Sequence, residues 1–158
     1  MHALLSRTLA AGLAALLAGC ASGPARRVSE PAARIQQLTV QASGQWSVEL
    51  RLENFSSVPM RFDAVDVALA VAGTPAGRLQ ASPALGIGPE SADTVTVVLN
   101  ADTAAKVVVA DALAARRAVA YTLSGTVTAT PEEGRARSYA IERSSELNPA
   151  PGLTGVLR

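Results

Sequence analysis

A chain of 158 residues with 14 basic and 13 acidic side chains has material for one domain and no excess of either charge. Near-neutrality excludes the phosphate-neutralising surface of a nucleic-acid binder. The few aromatics (Trp46, Phe55, Phe62, Tyr121, Tyr139) offer no base-stacking platform, and a single cysteine, Cys20, excludes an internal disulfide.

The chain opens on Met1-His2-Ala3-Leu4-Leu5-Ser6-Arg7, a short positive segment. Leu9 to Ala18 is then wholly Ala, Leu and Gly. That run has the length of a signal-peptide core and falls short of the roughly 20 apolar residues that span a bilayer. It closes on Leu17-Ala18-Gly19-Cys20, which resembles the lipobox of bacterial lipoproteins. The resemblance makes Leu17, Ala18 and Gly19 the signal-peptidase recognition residues and Cys20 the lipid attachment site. It implies a diacylglyceryl group on Cys20 Sγ, cleavage after Gly19 and acylation of the new amine. One acyl chain holds a protein only marginally, at about 0.8 kcal/mol per buried methylene, whereas three hold it durably. The alternative for Cys20 is a buried free thiol. Ala21 stands where an Asp would retain such a lipoprotein in the inner membrane, so the resemblance implies the outer membrane, with the domain facing the periplasm. Cleavage removes Arg7 alone among charged residues and leaves 139 residues with 13 basic and 13 acidic groups.

Residues 20–33 comprise the expected lipidated cysteine and a small, polar, Pro-containing stretch that predicts a flexible tether; the alternative is an ordered arm packed on the domain. A domain is expected over 34–143. Ile35, Leu38 and Val40 suggest a first strand, broken at Ser43-Gly44. Trp46, Val48, Leu50 and Leu52 alternate with polar residues, the period of a half-buried strand. Asn54 to Pro59 is a turn. Met60 to Val71 is a third strand, whose change of phase between Phe62 and Val65 predicts a bulge at Asp63-Ala64. Gly77 to Ser82 is a short edge strand, and Pro83 to Ser91 is a loop. Asp93 to Leu99 alternates again. Ala105, Val108, Val109, Ala112 and Leu113 fall at helical spacing, with Asn100 or Asp102 as cap and Arg116-Arg117 at the far end. Val119 to Thr130 is a long strand, Pro131-Glu132-Glu133-Gly134 a turn, and Arg135 to Arg143 an edge strand. The Pro-containing tail, 144–158, is expected to be loosely ordered.

The tally is about seven strands with one inserted helix. It predicts an all-β protein, an antiparallel sandwich of immunoglobulin or fibronectin-III-like build. Residues 46–127 also resemble the type 2 late-embryogenesis-abundant (LEA) family, or water-stress and hypersensitive-response (WHy) domain. The likeness rests on Val48 to Phe55, Val65 to Leu69 with Gly73, Gly77, Ile87-Gly88-Pro89, Thr94 to Leu99, and Leu123 to Val127. Phe55 departs from the family's Pro after Asn54, and Pro59 follows four residues later. The resemblance implies a non-enzymatic role in desiccation or envelope stress, with no cofactor.

The sole histidine, His2, goes with the signal peptide, so the mature chain has no imidazole and no free thiol. That excludes Ser-His and Cys-His nucleophiles and His- or Cys-built zinc sites. A Ser-Lys pair would need Lys106, the only lysine. Asp63 with Asp66, and Glu132 with Glu133, are acid pairs; no Asp-rich loop of ligand spacing supports Ca²⁺ binding, and both read as solvated surface. Arg26-Arg27 and Arg116-Arg117 are short basic pairs that could touch lipid headgroups. The expected partner is the membrane, through the N-terminal lipid. Two other functions stay open: docking on another envelope protein by edge-strand pairing, and binding of a lipid or small apolar ligand.

Overall fold

The computed structural model describes residues 25–158. Leu17, Ala18, Gly19 and Cys20 lie outside the described residues. Strand alternation decides the architecture. In chain order the elements are β1 (Ala32–Val40), β2 (Trp46–Asn54), β3 (Met60–Val71), β4 (Thr74–Ala81), β5 (Leu85–Ile87), β6 (Ser91–Leu99), α1 (Thr103–Ala114), β7 (Val119–Pro131), β8 (Arg137–Leu147) and β9 (Val156–Leu157). All strand pairings are antiparallel. One sheet has the order β6-β2-β1-β9; the other has β4-β3-β7-β8, with β5 also pairing β3. The protein is therefore an all-β sandwich with one short helix.

The pleat puts alternate side chains on the buried face. Trp46, Val48, Leu50 and Leu52 of β2 are all at most 1 % exposed. They meet Phe62, Val65, Val67 and Leu69 of β3 and Leu123 and Val127 of β7 in one core. The bulge falls where the change of phase put it: Phe62 pairs Ala129 and Ala64 pairs Thr128, leaving Asp63 unpaired. α1 carries the chain from β6 in one sheet to β7 in the other. It buries Ala105, Val109 and Ala112, with Val108 and Leu113 packed beside them. Its last turn closes by Arg117 N–H to Ala112 O and Arg116 N–H to Leu113 O, with Arg116 left-handed at φ 52°.

Three expectations are corrected. The strands number nine among the described residues, because the Pro83–Ser91 loop contains β5 and the tail contains β9. The tail 144–158 is built into the sandwich. β8 runs on to Leu147, and the tail folds back through reciprocal bonds between Asn148 and Arg158, placing Leu157 opposite Leu38 of β1. Its Pro and Gly mark a turn, and Val156 and Leu157 supply the burial that fixes it. The described part of the 20–33 tether is an arm on the domain, with Ala33 2 % exposed and β1 already begun at Ala32.

Gly125 marks the tightest approach within the sheet. A Cβ there would lie 2.2 Å from the Asp66 carbonyl oxygen of β3, and φ is +155°. Gly125→Ala is expected to lower unfolding free energy by about 2–3 kcal/mol in denaturant titration. Gly86→Ala, with nothing within 4 Å of its Cβ, should stay near the parent. Equal stability of the two variants would contradict the close approach.

Candidate functional site

The strand ends at one pole of the sandwich gather the polar chemistry. Asn54 ends β2 opposite Ser91 of β6, while Met60 begins β3 between Ile87 and Pro131. Asn54 is fully buried. Its Nδ2 donates to the carbonyls of Val58 at 2.9 Å, Gly88 at 2.9 Å and Ile87 at 3.2 Å. Its Oδ1 accepts from Ser56 N–H at 2.9 Å. One amide therefore ties backbone groups of two loops together, three of its four bonds being buried.

That closure presents Ser56 and Ser57 to the N-terminal arm. Ser29 N–H donates to Ser56 Oγ at 2.9 Å, and Arg27 N–H to Ser57 Oγ at 2.8 Å. Ser57 N–H returns to the Arg27 carbonyl at 3.0 Å. Arg27 Nη2 reaches the Phe55 carbonyl at 2.9 Å and Glu90 Oε1 at 3.1 Å. Arg26 pairs with Glu133 at 2.6 Å and with Glu132 at 3.7 Å. The arm is thus clamped by two loop serines and by three glutamates from the β6 and β8 approaches.

Of the acid pairs singled out in the sequence, Asp63 and Asp66 go to different partners, while Glu132 and Glu133 meet on one arginine. Asp63, turned out by the bulge, takes Arg61 Nε at 2.6 Å and the Thr130 hydroxyl at 2.6 Å. Asp66 is held by Arg78 across the β3–β4 pair. Glu132 and Glu133 face Arg26, and Glu90 faces Arg27, in exposed ion pairs. Arg117 pairs with Asp111, and Lys106 donates to Asn100 Oδ1 at 2.9 Å. Among the described residues no three His, Cys, Asp or Glu side chains gather where a metal could bind. Two depressions open at this pole. One, of about 340 Å³, lies between Arg51, Phe55 and Glu90. The other, of about 410 Å³, lies between Met60, Gly86 and Glu132.

Sequence reasoning placed Asn54 in a turn and missed its buried role. Its acceptors Ile87 and Gly88 are 33 and 34 positions away, and no local pattern signals them. In the sequence Phe55 is only a departure from a family dipeptide. In the structure it is 49 % exposed, with its carbonyl bonded to Arg27 of the arm, where Val28 is 45 % exposed.

No family model and no curated protein sequence matches the chain. Solved structures do. A crystal structure of a protein from Archaeoglobus fulgidus is 13 % identical, with 78 % of this chain and 98 % of that chain covered and a TM-score of 0.45. The X-ray structure of a Northeast Structural Genomics Consortium target is 14 % identical, with 80 % and 92 % covered and a TM-score of 0.45. A solution structure of an Arabidopsis thaliana protein is 11 % identical, with 85 % and 91 % covered and a TM-score of 0.46. Likeness at this level lends nothing to the function of this chain.

Asn54→Ala leaves three carbonyls and one N–H without their partner, and is expected to cost about 2–4 kcal/mol in equilibrium unfolding. A loss under about 0.5 kcal/mol, the range of ordinary surface changes, would show the amide to be dispensable. Asp63 gives a pH signature. The Thr130 hydroxyl holds its carboxyl below the usual carboxylate range; partial desolvation opposes this and Arg61 adds to it. A lowered native pKa means stability present above the unfolded value, near 3.9, and lost as pH falls through the native one. Thr130→Val should therefore be less stable than the parent at pH 6, with the gap narrowing below about pH 4. A gap independent of pH would remove the hydroxyl–carboxylate bond from the cause.

Proposed function

We propose that this chain is a non-enzymatic lipoprotein of the LEA type 2 kind. It is anchored by acylated Cys20 in the outer membrane, faces the periplasm, and serves tolerance of desiccation or envelope stress. The observation that carries the reading is Leu17-Ala18-Gly19-Cys20 closing an apolar run of signal-peptide length. The composition beyond it fits: no histidine or cysteine follows Cys20, so the common nucleophile–base pairs are out of reach. The WHy-like stretch 46–127 supplies the stress role, and it spans β2 to β7.

A second reading, an accessory module that docks by strand addition, is favoured by one feature. β8 is an eleven-residue edge strand, exposed over most of its length. The other edge of that sheet, β4, is less available, because Asp102 N–H takes the Ala76 carbonyl and α1 packs against the strand. Crosslinking in membranes separates the two: a stoichiometric partner at β8 favours docking.

The parent protein should carry the acyl mass on its N-terminal peptide, and Cys20→Ser should remove that mass and leave the leader uncut. Deleting the gene should lower survival on drying or under envelope stress. A parent protein whose N-terminal peptide carries no acyl mass overturns the anchor, and equal survival of deletion and parent strains overturns the stress role.

A further inference from the structure

We propose that the Asn54 pole is the face this protein lays against the bilayer, with Phe55 and Val28 as the side chains that touch lipid. The inference rests on Cys20 being the lipid anchor and goes on to assign the orientation. Cys20 stands six positions before Arg26. A chain of that length reaches at most about 20 Å even when fully extended. Because Arg26, Arg27 and Ser29 are clamped to the pole, that reach is measured from the pole itself. A loose tether ending at β1 would put twelve positions between Cys20 and the domain; the clamped arm halves that length.

The surface at the pole suits an interface. The exposed large hydrophobics among the described residues are Val28, Phe55, Val98, Val107 and Leu153. Two of them belong to the two segments joined here: Arg27 and Ser29, flanking Val28, donate their N–H groups to Ser57 and Ser56, and Phe55 precedes those serines. An aromatic ring and a branched aliphatic beside polar backbone match the headgroup boundary, where such side chains enter the outer apolar region. The arginines meet Glu90, Glu132 and Glu133, so the pole offers no cation excess and the contact suits zwitterionic headgroups. Two side chains are too few to hold the protein unaided; they orient what the covalent lipid retains. The opposite pole carries the 41–45 turn, with Gly155 bonded to Val40 and Leu153 exposed nearby in the tail.

Tryptophan placed at each pole reads the orientation. The native Trp46 is 1 % exposed, and serves as an internal background. The acylated Phe55→Trp and Leu153→Trp proteins are reconstituted in phosphatidylethanolamine–phosphatidylcholine vesicles with and without brominated acyl chains. Vesicle flotation and the mass of the N-terminal peptide are recorded alongside. F55W should lose about half its added emission to brominated lipid, as a ring roughly 5–10 Å into the boundary would, while L153W stays unchanged. Should F55W fail to fold, Val28→Trp reports the same face. Protein that floats and carries acyl mass but shows no quenching at the Asn54 pole, or equal quenching at both poles, overturns the orientation and leaves the anchor standing. Protein that neither floats nor carries acyl mass overturns the anchor and the orientation with it.

Discussion

The buried side chain of Asn54 is the interaction on which this pole of the sandwich depends. Strands end there, and strand ends leave carbonyls without ladder partners. Asn54 supplies donors to three of them from one position and takes the Ser56 N–H in return. Ser56 and Ser57 then point at the arm, and Glu90, whose N–H donates to the Ser56 carbonyl, stands within reach of Arg27. Magnitudes rank these contacts. The exposed ion pairs of Arg26 and Arg27 contribute about 0–1 kcal/mol each. A buried amide with all its bonds made is costlier to remove, because its partners lose water and gain nothing.

Much of the sandwich is legible in the sequence. β2 and β3 begin and end within a residue or two of their alternating patterns, and the bulge at Asp63 follows from the slip between Phe62 and Val65. Period two is a direct consequence of a half-buried pleat, so a core built from it declares itself. β5 and β9 do not declare themselves, at three and two residues with no room for a period. The arm is missed for another reason. Its composition is that of a linker, and what orders it are serines about 30 positions away. The partners of the acid pairs are equally non-local. Asp63 and Asp66 are close in sequence, yet the bulge gives one to Thr130 and the pleat gives the other to Arg78.

Charge is disposed locally as it is globally. Nearly equal numbers of acids and bases pair off across neighbouring strands and around the pole, leaving no broad field to draw a polyanion. What distinguishes the surface is a place: a clamped arm, two exposed apolar side chains, and an expected lipid site six positions up the chain. The reading proposed above, position at a membrane, draws on all three.

The docked arm depends on the loops that the buried amide holds, and its backbone amides test that dependence most directly. Native-state hydrogen exchange should find the Ser29 N–H, bonded to Ser56 Oγ, protected well beyond the rate of a free chain. In Asn54→Ala that protection should fall toward the free rate while Val48 and Leu50 in the centre of β2 stay protected. Exchange of Ser29 at the free-chain rate in the parent protein would contradict a clamped arm and the role given to Asn54 in building its seat.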